Sequence, residues 1–466
     1  MRILMISAEC APLAKTGGLA DAVSGLVDAL WRRGHDVRTL MPGYGRPLPA
    51  GYAGSPAAPI GGVELRVAQR TDGGPTLYVV DADELGRDGR IYVGDDRDAV
   101  RFWRFSRAAL DIVAALDWRP DVLHCHDWHA SLVPALARRS ATLAETPSVL
   151  TLHNAGYQGA VARSVLPEDA QAAIAALEDD ASRGRDYVRF LELGIRHATV
   201  VTTVSPGYAR EIRTPELGMG LDALLRERGD DFVGILNGVD YSLWSPESDP
   251  YLPTRFQRGD AAGKRRVKLE LCAELGLVDD APLVGAVSRL VEQKGIDLLA
   301  AALPELLGRT RARFAILGSG EPWLEATLSE LAASHRERLA FRSGYDEALA
   351  HRIIAGSDLL VMPSRYEPCG LTQLYAMRYG TIPVVRKTGG LSDTVSHFDS
   401  ATGKGTGSVF EHADAQGLIW GLTTALGWYE DEDVWRRIVE NALRVDFSWT
   451  RQSGDYEALY RRVILM

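Results

Sequence analysis

No stretch of eighteen or more apolar residues occurs in the 466-residue chain, so no transmembrane helix is expected. Cysteine is scarce: Cys10, Cys125, Cys272 and Cys369 stand far apart with no C-x-x-C spacing. They read as reduced thiols of a cytoplasmic protein, not as a disulfide framework. Basic excess is missing too. A net charge of −10 argues against a nonspecific nucleic-acid binder, which needs a basic face. The opening "MRILMISAECAPLA" starts like a signal peptide, but Glu9 interrupts an apolar run already short for that role. It reads as a buried first strand. The dinucleotide fingerprint G-x-G-x-x-G is also wanting, since "GSGEPW" puts Trp323 where the third glycine would stand.

What is present is a near-duplicate. "KTGGLADAV" begins at Lys15 and "KTGGLSDTV" at Lys387, and seven of nine letters agree. Each copy follows an apolar run, "RILMISAE" or "TIPVV", and precedes a further apolar pattern. Both read as strand, glycine turn and helix start, a geometry that presents backbone N–H groups to an anion. Strand-like and helix-like runs alternate on either side: "HDVRTLMP", "PDVLHCH", "PSVLTLH", "ATVVTTVS" and "FVGILNG" come first. The pattern pauses over "SPESDPYLPTRFQRGDAAGKRRVKLELCAELGL", whose start, near Trp244 to Tyr251, reads as the linker between domains, then restarts with "PLVGAVSRL", "RFAILGSG", "LAFRSGY", "DLLVMPS" and "TIPVVRKTGG". The chain is therefore expected to hold two α/β domains, residues 1–245 and 246–449, each a doubly wound parallel sheet. Both glycine loops would lie at carboxyl ends of strands, at the mouth of a shared cleft. The basic run "GKRRVK" reads as a solvated helix start. "PAGYAGSPAAP" reads as a loop, and "PEDAQAAIAALEDDASRG" as a surface helix.

Several residues carry chemistry. Arg289 and Lys294 of "VSRLVEQKG" sit between a buried strand and a helix, where two cations make a receptor for a diphosphate. Arg clamps oxygens in pairs and Lys adds a point charge. The alternative is a pair of surface cations. In "SRYEPCGLTQLYAMRYG", Pro368 suits the first turn of a helix, and the amides of Gly370, Leu371 and Thr372 would then point at the cleft. Glu367 either caps that helix or holds a polar substrate such as a sugar. His124, His126 and His129 invite a zinc assignment, but a fourth ligand at a familiar spacing is missing, and a polar cluster lining the cleft is preferred. His153, at the end of "SVLTLH", faces the cleft or bonds a backbone carbonyl.

Together, "KTGGLADAV", "HDWHA", "HN-x-x-YQG", "NGVD", "SRL-x-x-QKG", "SR-x-EPCGLTQLYAM-x-YG" and the second "KTGGL-x-DTV" resemble, in order, those of bacterial glycogen synthase and plastid starch synthase. The likeness runs from Met1 to the C-terminal "FSWTRQSGDYEALY". It implies a GT-B fold: two Rossmann-like domains facing a deep cleft, with a C-terminal helix, within residues 450–466, crossing back to the N-terminal domain. It implies a retaining glycosyltransferase that moves glucose from ADP-glucose to the non-reducing end of an α-1,4-glucan. No metal and no cofactor are implied, and no nucleic-acid or membrane partner.

Carried over, the resemblance makes Lys15, His153, Arg289, Lys294 and Glu367 the catalytic set. Lys15 and Gly18 would meet the nucleotide phosphates. Arg289 and Lys294 would stabilise the departing ADP. Glu367 would bind the transferred glucose, and His153 would lie beside its anomeric centre. Asp127 and Asn237 would border the sugar, Tyr345 would pack on adenine, and the amides after Cys369, at Gly370, Leu371 and Thr372, would hold phosphate. Gly389 and Gly390 would close the pocket, with Gly17, Asp21 and Asn154 completing the substrate-binding set. The chain departs from related enzymes at Tyr375, where many retaining enzymes of this fold carry a second Glu, a loss that glycogen and starch synthases share. It departs also at Ala155-Gly156 and Ser408. Rival readings are a transferase using UDP-glucose or a small acceptor, a silent glucan-binding protein, and a nucleotide-sugar epimerase.

Overall fold

The computed structural model describes residues 1–179 and 183–466. The chain divides into two compact units, Met1–Gly238 with Trp449–Met466, and Val239–Ser448. The division precedes the sequence break at Trp244–Tyr251 because that stretch is plugged into the second unit. Trp244 stacks on Tyr375 and His351, and Asp249 bonds both His351 and Tyr379.

The first unit is built on a nine-stranded sheet. Its strands run in the order Phe232–Gly234, Val200–Thr203, Ser148–Leu152, Val122–His126, Arg2–Ile6, Asp36–Pro42, Thr76–Asp81, Glu64–Arg70 and Tyr52–Pro56. The first seven are parallel and the last two antiparallel. Parallel strands are covered on both faces, which is why the central ones read as unbroken buried runs. The edge strand Tyr52–Pro56 had read as a loop because most of its residues are exposed and no apolar alternation marks it. The Ala- and acid-rich segment is a helix only over Glu168–Leu177, and it is not simply superficial. Ala170, Ile174 and Leu177 lie in one buried cluster with Trp103. Its residues 180–182 lie outside the described residues.

The second unit carries six parallel strands, ordered Leu339–Ser343, Arg313–Gly318, Leu283–Val287, Leu359–Met362, Ile382–Arg386 and Ser408–Phe410. The "GKRRVK" run is corrected here. It lies in the helix Ala261–Leu275, and two of its lysines turn inward. Lys264 Nζ donates to the Ala355 carbonyl at 2.7 Å and to the Thr381 hydroxyl, and Lys268 Nζ pairs with Asp358 at 2.6 Å. Only Arg265 and Arg266 stay in solvent. Long aliphatic stems let these ammonium groups reach interior acceptors while covering apolar surface.

The C-terminal helix Trp449–Ile464 belongs to the first unit, burying Tyr456, Leu459, Tyr460 and Val463 in its core. The Tyr460 hydroxyl lies 2.7 Å from His124 Nδ1, and Trp449 fills space that two glycines leave open. A Cβ at Gly25 would stand 2.1 Å from the Trp449 Nε1, and one at Gly238 2.6 Å from its Cδ2. Gly25→Ala is therefore expected to lower stability by about 1–3 kcal/mol through forced repacking. Gly308→Ala, in a helix where an added Cβ meets nothing within 4 Å, should gain up to about 1 kcal/mol. Calorimetry of the two variants checks this, and Gly25→Ala melting like the parent would sink the packing argument.

Candidate active site

In the first unit the strands Arg2–Ile6, Val122–His126 and Ser148–Leu152 are neighbours, so their carboxyl ends bring three chemically loaded segments together. After the first come Glu9 and the turn Lys15–Gly18. Lys15 Nζ pairs with Asp21 Oδ1 at 3.1 Å, in the first turn of the helix Gly18–Arg32. Gly17 and Gly18 are exposed. The turn's amides are engaged by a residue that no motif had flagged: Thr16 N donates to Glu9 Oε2 at 2.6 Å and Gly17 N to the same oxygen at 3.4 Å.

The second and third segments meet through Asp127, a non-glycine residue at φ 55°. That conformation is strained for most residues and tolerated best by Asp and Asn. Its Oδ1 accepts the amides of His153 at 2.7 Å and Asn154 at 3.4 Å. Burial pushes the Asp127 carboxyl up to about 7, opposed by these two donors. Asn154 Oδ1 in turn accepts Gly156 N at 2.9 Å. His153 Nε2 lies 3.0 Å from His126 Nδ1. Burial lowers His124, His129 and His153 to about 3 and holds His126 well below the ordinary imidazole value, so the four rings are neutral.

The histidines form the expected polar cluster. His124 is spent on Tyr460 and Thr151, while His126 Nε2 and His129 Nδ1 are buried without a partner among the described residues. Asn237 Oδ1 is in the same state. Buried polar atoms are nearly always paired, and these three are exceptions. No group of three or more His, Cys, Asp or Glu arranged to hold a metal ion occurs among the described residues.

The second unit, taken by itself, carries the other expected residues. Lys294 closes the short turn Glu292–Lys294 after the strand Leu283–Val287, and its Nζ lies 2.7 Å from Glu367 Oε2. The Ser364 hydroxyl donates to the same oxygen at 3.0 Å. Gly295 makes this approach possible: at φ 65° its added Cβ would stand 2.0 Å from the Pro363 carbonyl. Arg289 is exposed on the same loop. The second glycine copy rests directly on the "EPCGL" segment. Gly390 N donates to the Glu367 carbonyl at 3.0 Å, and a Cβ on Gly390 would meet the Cys369 carbonyl at 2.3 Å.

One expectation changes. The helix after Glu367 begins at Thr372, not at Pro368. Gly370 at φ 70° breaks the turn before it, and Gln373 Nε2 ties back to the carbonyls of Cys369 and Gly370, both at 3.0 Å. Gly370, Leu371 and Thr372 thus lie at the junction between an irregular segment and a short helix. Tyr345, just past the strand Leu339–Ser343, is 73% exposed, leaving a ring face open to a stacking partner.

The family model for the starch synthase catalytic domain matches residues 2–227, and that for glycosyl transferases group 1 matches residues 268–444. A glycogen synthase of Anaeromyxobacter dehalogenans is 44% identical, with 99% of each chain covered. The chain belongs to the glycogen synthase family. Within that family, a glycogen synthase of Paramagnetospirillum magneticum is 43% identical over 99% of this chain and 97% of its own. The catalytic domain of starch synthase IV from Arabidopsis thaliana, solved bound to ADP and acarbose, superposes with a TM-score of 0.91 at 35% identity, covering 100% of this chain and 99% of that one. A sucrose-phosphate synthase from Thermosynechococcus elongatus, at 18% identity and TM-score 0.66, shares the fold. Members of the glycogen synthase family are retaining glycosyltransferases of the GT-B fold, and this chain is one of them. No described helix is long and apolar enough to cross a membrane.

Proposed function

We propose that this chain transfers glucose from ADP-glucose to the non-reducing 4-hydroxyl of an α-1,4-glucan, with retention, in the cytoplasm and without a metal or cofactor. The observation that carries the reading is the Lys294–Glu367 pair lying against the second glycine turn. One ammonium for a departing diphosphate stands beside one carboxylate for sugar hydroxyls, and both are held by backbone geometry before substrate arrives. Preorganised charge of this kind acts where charge develops in the transition state. Lys15 and Arg289 add cations for the nucleotide phosphates, and Tyr345 offers its open face to adenine. Asp127, His153 and Asn237 border the glucose.

The chemistry is a front-face substitution. The bond from the anomeric carbon to the diphosphate oxygen breaks, and the bond to the acceptor hydroxyl forms on the same face. The hydroxyl proton passes to the leaving phosphate oxygen. Double displacement would need a carboxylate on the opposite face, and Tyr375 stands where many enzymes of this fold place their second Glu. Trapping a glucosyl-enzyme on a side chain would refute the front-face route.

The test is radiolabelled transfer from ADP-glucose and, separately, UDP-glucose into precipitable glycogen, with EDTA present throughout. Incorporation from ADP-glucose alone is expected. Equal incorporation from UDP-glucose would remove the donor assignment, and no incorporation from either would remove the synthase reading.

A further inference from the structure

The two glycine turns are near-identical in sequence and differ in what their amides do. In the second, Thr388 N donates to the Arg386 carbonyl at 2.9 Å and Gly390 N to the Glu367 carbonyl at 3.0 Å. In the first, the acceptor is a carboxylate. Glu9, 4% exposed, takes Thr16 N and Gly17 N on Oε2 and the Tyr92 hydroxyl on Oε1 at 2.5 Å. Its own backbone is fixed by Ser7, whose hydroxyl donates to the Glu9 carbonyl at 2.7 Å. Helix Gly18–Arg32 has no side-chain cap at Gly17, so Glu9 supplies the negative group that a helix start favours. The lysines differ as well: Lys15 pairs with Asp21 inside the turn's own helix, while Lys387 pairs with Glu411 beyond the next strand.

A concave row of amides binds one anion at a time, because a second anion would meet the first at close range in a poorly solvated place. We propose that Glu9 is the positioning residue of the first turn: it occupies the amides of Thr16 and Gly17, so this turn meets the donor diphosphate through the Lys15 ammonium and not through those two amides. The inference rests on the proposed role of Lys15 at the diphosphate. It makes the duplicated sequence functionally unequal, with a carboxylate-latched copy that aims a cation and a carbonyl-supported copy that packs on "EPCGL". Charge-assisted hydrogen bonds are about twice as strong as neutral ones, which suits a latch on an otherwise exposed glycine turn.

Four proteins test it: the parent, Glu9→Gln, Lys15→Met and the double variant, each with ADP titrated calorimetrically and with separate KM values for ADP-glucose and glycogen. Glu9→Gln should weaken ADP and raise the ADP-glucose KM roughly tenfold, about 1.4 kcal/mol, with the glycogen KM within about twofold of the parent. In the Lys15→Met background the same change should cost little more, because Glu9 acts through Lys15. Tyr92→Phe, which removes only the Oε1 partner, should shift ADP affinity the same way by a smaller factor, and it carries the test if Glu9→Gln does not fold. Additive losses in the double variant would overturn the proposal. So would tighter ADP binding in Glu9→Gln, since that would mean freed amides serve the diphosphate, and so would a rise in the glycogen KM alone. Amide hydrogen exchange over residues 15–18 reads the latch without turnover: slow in the parent and faster in Glu9→Gln. Equal exchange rates would overturn the latch. A parent that exchanges slowly at the turn yet transfers no glucose would instead fault the functional reading and leave the latch standing.

Discussion

Lys294→Met is expected to lower kcat by roughly 10²–10³-fold, the usual cost of removing one preorganised charge from a developing anion. The prediction has a second half, because the same substitution strips the partner from a buried carboxylate. Glu367 is 4% exposed and, among the described residues, its side chain then keeps the Ser364 hydroxyl at 3.0 Å alone. Leaving a carboxylate unpaired in such a place costs stability, whereas neutralising both partners can be nearly free. The Tm should therefore fall in Lys294→Met and recover in Lys294→Met/Glu367→Gln, while activity stays low in both. That divergence separates the catalytic use of the ammonium from its structural use. Activity returning with stability in the double variant would mean Lys294 serves only to hold Glu367, and the leaving-group assignment would be lost.

How much of this was legible in the chain depends on what kind of signal each feature leaves. The buried parallel strands announce themselves as apolar runs such as "SVLTL" and "LVGAV". The turns carrying Lys15, Lys294 and Gly389 follow from glycines and cations placed just after them. The edge strand Tyr52–Pro56 left no such mark, because its residues are mostly exposed and its pairing is long-range. Lys264 and Lys268 were misread for a related reason. A basic run has the composition of a solvated face, and only the neighbouring Ala355, Thr381 and Asp358, far off in sequence, show that two of its ammonium groups are interior. The helix start at Thr372 was placed too early because Pro368 signals a first turn, and Gly370 at φ 70° overrides it. Glu9 is the most instructive omission. It was noticed only as an interruption of an apolar segment. A single acid has no spacing to recognise, yet a charge at the carboxyl end of a buried strand, just ahead of a glycine turn, was the available clue.

The largest stability effect is expected at Asp249, in the segment that the sequence marked as a linker. Its side chain is fully buried. Oδ2 accepts the Tyr379 hydroxyl at 2.5 Å and pairs with His351 Nδ1 at 2.8 Å, and Oδ1 accepts Tyr251 N at 2.8 Å. His351 is in turn sandwiched, with Trp244 stacked on it at 3.5 Å, the Tyr251 ring at 4.6 Å and Glu347 Oε1 at 3.8 Å from Nε2. Asp249→Ala leaves a phenol and an imidazole without their acceptor. The imidazole can shed its proton, so about 3 kcal/mol is expected, the lower end of what a broken buried pair costs. For a unit of this size that is a fall in Tm of roughly 6–12 °C. The pH dependence fixes the sign. Burial lowers the His351 pKa, but Asp249 and Glu347 outweigh it and the net shift is upward. A histidine whose folded value exceeds its unfolded one, about 6.5, contributes stability that is complete below that value and fades as pH rises through the folded value. The second unit should thus melt higher at mildly acidic than at alkaline pH, and Asp249→Asn should lose that part of the slope while keeping most of the packing. If Asp249→Asn preserves the parent's pH dependence, the His351–Asp249 pair does not hold its proton in the folded state, and what fastens this segment is the stack of Trp244 between His351 and Tyr375.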